Sequence, residues 1–361
     1  MKKLANWIKN HQIAAFFILT FTITWGLGFS YKAVLMYGQF LLAPLVSVAT
    51  CGPALAGIII TAISNTQPRQ GTRKTFWVAF FVALIVSAIV FLVHNTFVGR
   101  VPLSPVVVGF SLVVVVPVAF VISMTYSRIP AVKSYLSSLI RLRGVWGWAL
   151  LALVLLPGPV LLSVAISKLL GRQPIVAFRL PETGLALVGL IAVKFSYQLF
   201  FFNVTGEEAG WRGFALPRLQ ARTSPLIAAF IISIFWAPWH FFLCQAEGNP
   251  VLTLQFWIDM YIGTAGTILP SLIIVWVCNR AKGSILVAGI AHAAINTAFA
   301  FVSVQDGQAL KQIWFAIALV MVVADRMWKK LPSDHPAVYR KPGMIKFEKN
   351  ITEEILEVSH V

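Results

Sequence analysis

Acid is what this chain has least of. Asp and Glu together number twelve in 361 residues, and all charged residues make up only 11%. A soluble domain carries about 25% charged residues. The deficit excludes an ordinary solvated enzyme or binding module. Cysteine is also scarce. Cys51, Cys244 and Cys278 form no CxxC pair, which excludes that type of redox or zinc motif. Each is expected to fill apolar space, as free cysteines do. No alternation of apolar and polar residues runs long enough to compete with helices. There is no long internal repeat, no low-complexity linker and no CaaX ending.

What the chain has instead is hydrophobic length. Hydrophobic residues are 58% of the total, aromatics 13%, and mean hydropathy is +0.83. Net charge is +17, from 29 Lys and Arg. In a soluble protein such an excess would suggest nucleic acid. Here the basic residues sit between apolar runs, so membrane topology accounts for them and no nucleic-acid partner is expected.

Runs of about 17–25 apolar residues suit membrane-crossing helices. Ten fall at about 12–30, 40–63, 77–94, 105–125, 147–167, 184–205, 223–243, 256–278, 284–304 and 308–325. With the N-terminus in the cytoplasm, 22 basic residues fall inside and six outside, with Lys194 within a span. That bias predicts an all-α, polytopic helical bundle of about ten spans with both termini cytoplasmic. The basic start and long first run read as an uncleaved first helix, fitting a bacterial cytoplasmic membrane. Three parts are expected: residues 1–146 as N-terminal spans of unassigned role, 147–325 as a C-terminal bundle, and 326–361 as a cytoplasmic tail. The polar tail is expected to be solvated, its basic first part near anionic lipid headgroups. Nothing in the sequence sets an oligomeric state.

Ionisable groups within membrane spans are costly and face a protein or water cavity. They are few: Lys194, Glu207, Glu208, His240, Asp259 and His292. Lys194 is a candidate partner for a carboxylate, and Asp259 for interfacial water. Glu207 and Glu208 stand side by side in TGEEAGWRGF. Glu208 and Arg212 have ion-pair spacing on a helix, acid first. Glu207, one position earlier, points about 100° away. Trp236 and His240 share a helical face, as do His292 and Asn296. Plainer readings exist for each: Thr205 to Glu208 is a capping-box pattern, and His with Asn can be interhelical glue. Together the groups fall on three successive apolar segments able to enclose one cavity. Water held there between a carboxylate and an imidazole would be a nucleophile with a general base. A His or Asn side chain opposite would steady an oxyanion.

These residues resemble a known family. EEAGWR fits EExxxR, WAPWH fits FxxxH with Trp236 in place of Phe, and HAAIN fits HxxxN. In that order within apolar helices, they are similar to the CAAX protease and bacteriocin-processing (CPBP, or Abi) family of intramembrane endopeptidases. The resemblance covers roughly residues 184–304 and leaves the first spans aside. It implies an endopeptidase acting on a membrane-associated or lipidated peptide or protein. Glu207 would activate water with His240, His292 and Asn296 would hold the oxyanion, and Glu208 and Arg212 would support the first motif. Trp236 would keep the aromatic cavity wall, with more volume and an added N–H donor. Bacterial members are tied to bacteriocin immunity, peptide maturation and surface display. Prenylated CaaX substrates belong mainly to eukaryotic ones.

Three alternatives stand beside this. From residue chemistry alone, Glu207, His240 and His292 make a zinc set of the metalloprotease type. The lack of HExxH and the presence of Asn296 favour a metal-free site. A non-catalytic immunity or scaffold protein would use the same cavity for binding only. A proton-coupled transporter would use Lys194, Asp259 and the buried histidines, but shows no paired halves.

Overall fold

The computed structural model describes residues 2–29, 42–171, 175–176, 184–240, 253–303 and 307–340. The architecture is helical. In chain order the helices are α1 (Lys2–Asn10), α2 (Gln12–Phe29), α3 (Leu42–Thr50), α4 (Gly52–Ser64), α5 (Arg73–Phe97), α6 (Pro105–Val114), α7 (Val116–Ser123) and α8 (Pro130–Leu136). Then come α9 (Trp146–Leu155), α10 (Pro157–Leu169), α11 (Gly184–Gln198), a π-helix (Leu199–Ala215), α12 (Leu216–Gln220), α13 (Pro225–Trp239), α14 (Leu254–Arg280), α15 (Ile285–Phe301) and α16 (Gly307–Ala324). One two-residue antiparallel pair joins Ile175–Val176 to Val302–Ser303.

Local chemistry sets many of these starts. Thr72, Ser104, Ser224 and Ser284 each accept a hydrogen bond from the backbone N–H three residues on. Such a cap satisfies an orphan donor of the first turn. Pro105 and Pro225 occupy the first helical position, where a missing N–H costs nothing.

Each of the ten apolar runs contains helix, but not all are long. Arg73–Phe97, Trp146–Leu169 and Gly184–Gln220 are long and apolar enough to cross a membrane. Two bent pairs qualify if each is one span. Pro44–Thr50 with Gly52–Ser64 bends by 58°, and Pro105–Val114 with Val116–Tyr126 by 43°. The helices Gln12–Leu27, Pro225–Trp239, Gly266–Arg280, Ile285–Phe301 and Ala309–Ala324 are shorter. A fifteen-residue helix such as α13 rises about 22 Å, less than the roughly 30 Å hydrocarbon core.

The largest departure from expectation is at the first motif. Residues 184–205 are expected as a span ending in a loop, yet the helix runs on to Gln220. Arg212 and Arg218, counted among loop charges, lie inside it and are buried. Thr205 is not a cap. Its hydroxyl donates to the Phe200 carbonyl five residues back, and Leu216 N–H bonds the Trp211 carbonyl. The i to i+5 pattern is rare and marks functional sites. Tyr135 of α8 adds a side-chain donor, its hydroxyl 2.5 Å from the Ala209 carbonyl.

Close approach explains why this stretch is glycine-rich. The π-helix backbone lies directly on the break between α3 and α4. A Cβ on Gly206 would stand 2.6 Å from the Thr50 carbonyl oxygen, and one on Gly210 would stand 2.5 Å from the Pro53 carbonyl carbon. Small residues let helices meet backbone to backbone in membranes. Aromatic rings fill the flanks. Phe16 of α2 packs edge-on to Trp211 at 5.4 Å and stacks with Phe214 at 5.1 Å, while Trp239 Nε1 donates to Thr24 at 2.9 Å. Packing thus runs across the expected boundary at residue 146. Cys51 and Cys278 are buried in apolar surroundings; Cys244 lies outside the described residues, as do Lys32, Arg172 and Arg179.

The tail also departs from expectation as far as it is described. Residues 326–340 dock on the bundle instead of leaving it. Tyr339 N–H bonds the Pro217 carbonyl at 3.0 Å, and Gln220 Nε2 bonds the Ala337 carbonyl at 2.8 Å. The Arg218 guanidinium lies between the rings of Phe214 and Tyr339, 3.6 and 4.0 Å from their centroids. Met327 and Ala337 are buried, so an apolar anchor accompanies the polar bonds. Residues 341–361 of the expected tail lie outside the described residues.

Gly210→Ala should lower the thermal unfolding midpoint in detergent, because overpacking costs about 1–3 kcal/mol. Gly189→Ala, with nothing within 4 Å of its Cβ position, should be neutral or slightly stabilising. Equal midpoints for the two variants would remove the close-approach argument.

Candidate active site

Three elements bring the motif side chains together. The π-helix supplies Glu207, Glu208 and Arg212, α13 supplies Trp236 and His240, and α15 supplies His292 and Asn296. His240 is the residue at which α13 ends. Pro238 lies in that last turn, where it removes a backbone donor and loosens the helix.

Glu208 is the centre of a buried ionic network. Its Oε1 accepts from Arg212 Nη1 at 2.8 Å and from His292 Nδ1 at 2.9 Å. Arg212 Nη2 in turn donates to Ser271 of α14 at 3.1 Å. Glu208 and Arg212 side chains are fully buried. The capping role open to Glu208 from sequence is therefore replaced by ion pairing. Ser271 has no signature in the sequence, since a lone serine in an apolar run marks nothing by itself. Glu208 Oε2 and Arg212 Nε have no hydrogen-bond partner among the described residues.

Glu207 faces a different set. Its Oε2 accepts from Trp236 Nε1 at 2.6 Å and stands 3.6 Å from His240 Nε2. His240 Nδ1 lies 2.8 Å from the Trp236 carbonyl oxygen. A carbonyl only accepts, so Nδ1 carries a proton and the neutral ring presents an Nε2 lone pair toward Glu207. The His240 side chain is 34% exposed and that of Glu207 only 6%. The imidazole is thus the more exposed member of the pair. The Trp236 ring joins the two sets, 4.8 Å from the Arg212 guanidinium, 5.1 Å from the His292 ring and 5.4 Å from the His240 ring.

Asn296 lies one turn beyond His292, is half-buried and makes no side-chain hydrogen bond among the described residues. Lys194 joins neither set. It has no carboxylate partner among the described residues and lies 5.7 Å from the Tyr197 ring centroid, which stacks on His94. The Asp259 side chain lies outside the described residues.

The donor set can be compared with zinc. Zinc bonds of about 2.0–2.2 Å to N and O ligands would place two donor atoms roughly 3.3 Å apart. The Glu207–His240 separation of 3.6 Å is close to that. His292 Nδ1 is committed to Glu208. No group of three His, Cys, Asp or Glu among the described residues is placed to hold a metal. Glu207 and His240 are thus spaced as two zinc ligands would be, and His292 keeps Nε2 free while Glu208 holds its Nδ1.

A helical membrane bundle with carboxylates, imidazoles and an arginine gathered in its interior defines a class, the integral membrane proteins with a buried polar site. Comparisons place the chain more narrowly. Residues 188–298 match a family described as Type II CAAX prenyl endopeptidase Rce1-like. The chain is 29% identical over 179 residues to CAAX prenyl protease 2 of Methanococcus maripaludis, covering 48% of this chain and 64% of that protein. The aligned stretch thus spans less than two thirds of the relative. Over this core, the chain is thus similar to the Rce1-like CAAX prenyl endopeptidases.

Arg212→Ala and Glu208→Ala should each strand a buried charge, at a cost of about 3–5 kcal/mol, and show as lost folded protein in detergent. Arg212→Lys should not restore it, because one ammonium cannot hold Glu208 and Ser271 as the guanidinium fork does. Wild-type unfolding midpoints for these variants would contradict the network.

Proposed function

We propose that this protein is an intramembrane endopeptidase. Its substrate is a membrane-associated or lipidated peptide or protein, the class suggested by the prenyl protease relative. The observation carrying this reading is the Glu207–His240 pair. With His240 neutral, a carboxylate oxygen and an imidazole lone pair 3.6 Å apart are two acceptors that one water can bridge. A water donating one hydrogen to each would expose its oxygen lone pairs to a carbonyl carbon. That is general-base activation.

The step follows from the side chains. The water oxygen forms the new C–O bond while Glu207 takes its proton. The carbonyl electrons move onto oxygen. Asn296 Nδ2 and His292 Nε2 are the donors that would hold this oxyanion. For Nε2 to donate, the His292 ring must carry both protons, and Glu208 at Nδ1 balances that charge. Glu207 then passes its proton to the amide nitrogen as the C–N bond breaks. Burial matters to the rate because donors in a water-poor site act far more strongly than in water.

The reading is metal-free, on the lack of an HExxH motif and the suitability of Asn296 as an oxyanion donor. Purified protein should cleave candidate lipidated peptides, read by intact mass, and the cleavage should persist after prolonged chelation. Glu207→Gln should abolish cleavage while leaving the unfolding midpoint near that of wild type. Cleavage lost on chelation and restored by zinc would overturn the metal-free assignment. Full cleavage by Glu207→Gln would overturn the role of Glu207.

A further inference from the structure

Trp236 occupies a position that the FxxxH pattern gives to phenylalanine. A cavity wall needs only the ring. The indole does more than line the site. Its N–H donates to Glu207 Oε2 at 2.6 Å, a bond that phenylalanine cannot make. Trp236 Nε1 and the Glu207 carboxylate are both buried, so this bond between a neutral donor and a carboxylate is not competed for by bulk water. Charge-assisted bonds of this length are among the strong ones.

The same residue acts a second time through its main chain. The Trp236 carbonyl accepts from His240 Nδ1 at 2.8 Å, which turns Nε2 toward Glu207. We propose that Trp236 is the positioning residue of the water-holding pair: its indole N–H sets the Glu207 carboxylate and its carbonyl sets the His240 ring. The inference rests on the role of Glu207 proposed above. It assigns a function to the one place where this chain departs from the motif. A glutamate side chain has three rotatable bonds. Without a donor on Oε2 the carboxylate would sample rotamers in which no oxygen faces His240. Misplacement by about 1 Å can cost a hundredfold in rate. The main-chain half of the device survives any side-chain exchange, so substitution at 236 tests the N–H alone.

Two variants separate the N–H from the ring. Trp236→Phe restores the motif residue and removes both N–H and volume. Replacing Trp236 with β-(3-benzothienyl)alanine keeps volume and shape and exchanges only N–H for sulfur. Both should remain folded in detergent, with midpoints lowered by loss of the bond and, in Trp236→Phe, of volume. Both should cleave with KM within about twofold and kcat lower by about ten- to a hundredfold, the size of a lost hydrogen bond to a charged group. An independent reading needs no catalysis. In indole-labelled full-length protein, the Trp236 N–H proton resonance, identified by its loss in Trp236→Phe, should lie downfield and move upfield in Glu207→Gln. Wild-type kcat in the benzothienyl variant, or an indole resonance unmoved by Glu207→Gln, overturns the proposal. A wild-type protein that cleaves nothing would sink the protease reading, while the resonance would still decide whether the indole holds Glu207.

Discussion

A carboxylate without a partner cannot be kept inside a membrane bundle at tolerable cost. The arrangement of this protein follows from that constraint. Glu208 is fully buried and is held by Arg212 from its own helix and His292 from α15. Arg212 then reaches Ser271 of α14. Three helices are thereby tied to one buried charge. That charge is paired within the bundle, and Glu207 faces a separate set of partners. Among the described residues it meets a neutral donor, Trp236, and a partly exposed imidazole, His240. Neighbouring glutamates thus divide into one paired with an arginine and a histidine and one that accepts from an indole beside an imidazole. The division comes from their partners, because as isolated side chains the two are identical.

The position of the π-helix depends on the N-terminal part of the chain. Gly206 and Gly210 lie against Thr50 and Pro53 at backbone distance, so the α3–α4 break serves as a seat for the motif. Phe16 and Thr24 of α2 hold Trp211, Phe214 and Trp239 around it. The matched family core begins only at residue 188. The earlier helices nonetheless supply its supporting surface. Arg218 connects α2 to the segment 326–340. Its Nε donates to Gln12 at 2.7 Å, and its guanidinium packs against Tyr339. Residues 326–340 therefore close the fold instead of trailing from it.

Much of this was legible beforehand. The apolar runs announced helix, because burying a backbone in lipid leaves helix as the economical way to satisfy its hydrogen bonds, though among the described residues only three helices, or five with the bent pairs, are long enough to cross. The rarity of internal ionisable groups singled out Lys194, Glu207, Glu208, His240, Asp259 and His292, because such groups are costly in apolar helices, and of these Glu207, Glu208, His240 and His292 meet in one site. The i, i+4 spacings of Glu208 with Arg212 and of Trp236 with His240 were readable as shared faces, and contacts formed on both.

Other features were decided only in three dimensions. Whether Thr205 capped a new helix or continued an old one depended on a wide helical turn seated on Thr50 and Pro53, a contact between segments some 150 residues apart. The partnership of Ser271 with Arg212 spans 59 residues and leaves no local trace. The docking of Ala337 and Tyr339 overrode a polar composition that read as solvated, because buried apolar atoms and backbone bonds outweighed it. Spacing along one helix can say which side chains share a face. It cannot say which partner a neighbouring helix will bring to that face. The difference between Glu207 and Glu208 is of this second kind: the sequence determined that two carboxylates stand together inside an apolar bundle, and only tertiary packing, by placing His292 on one and the Trp236 indole on the other, made them unlike.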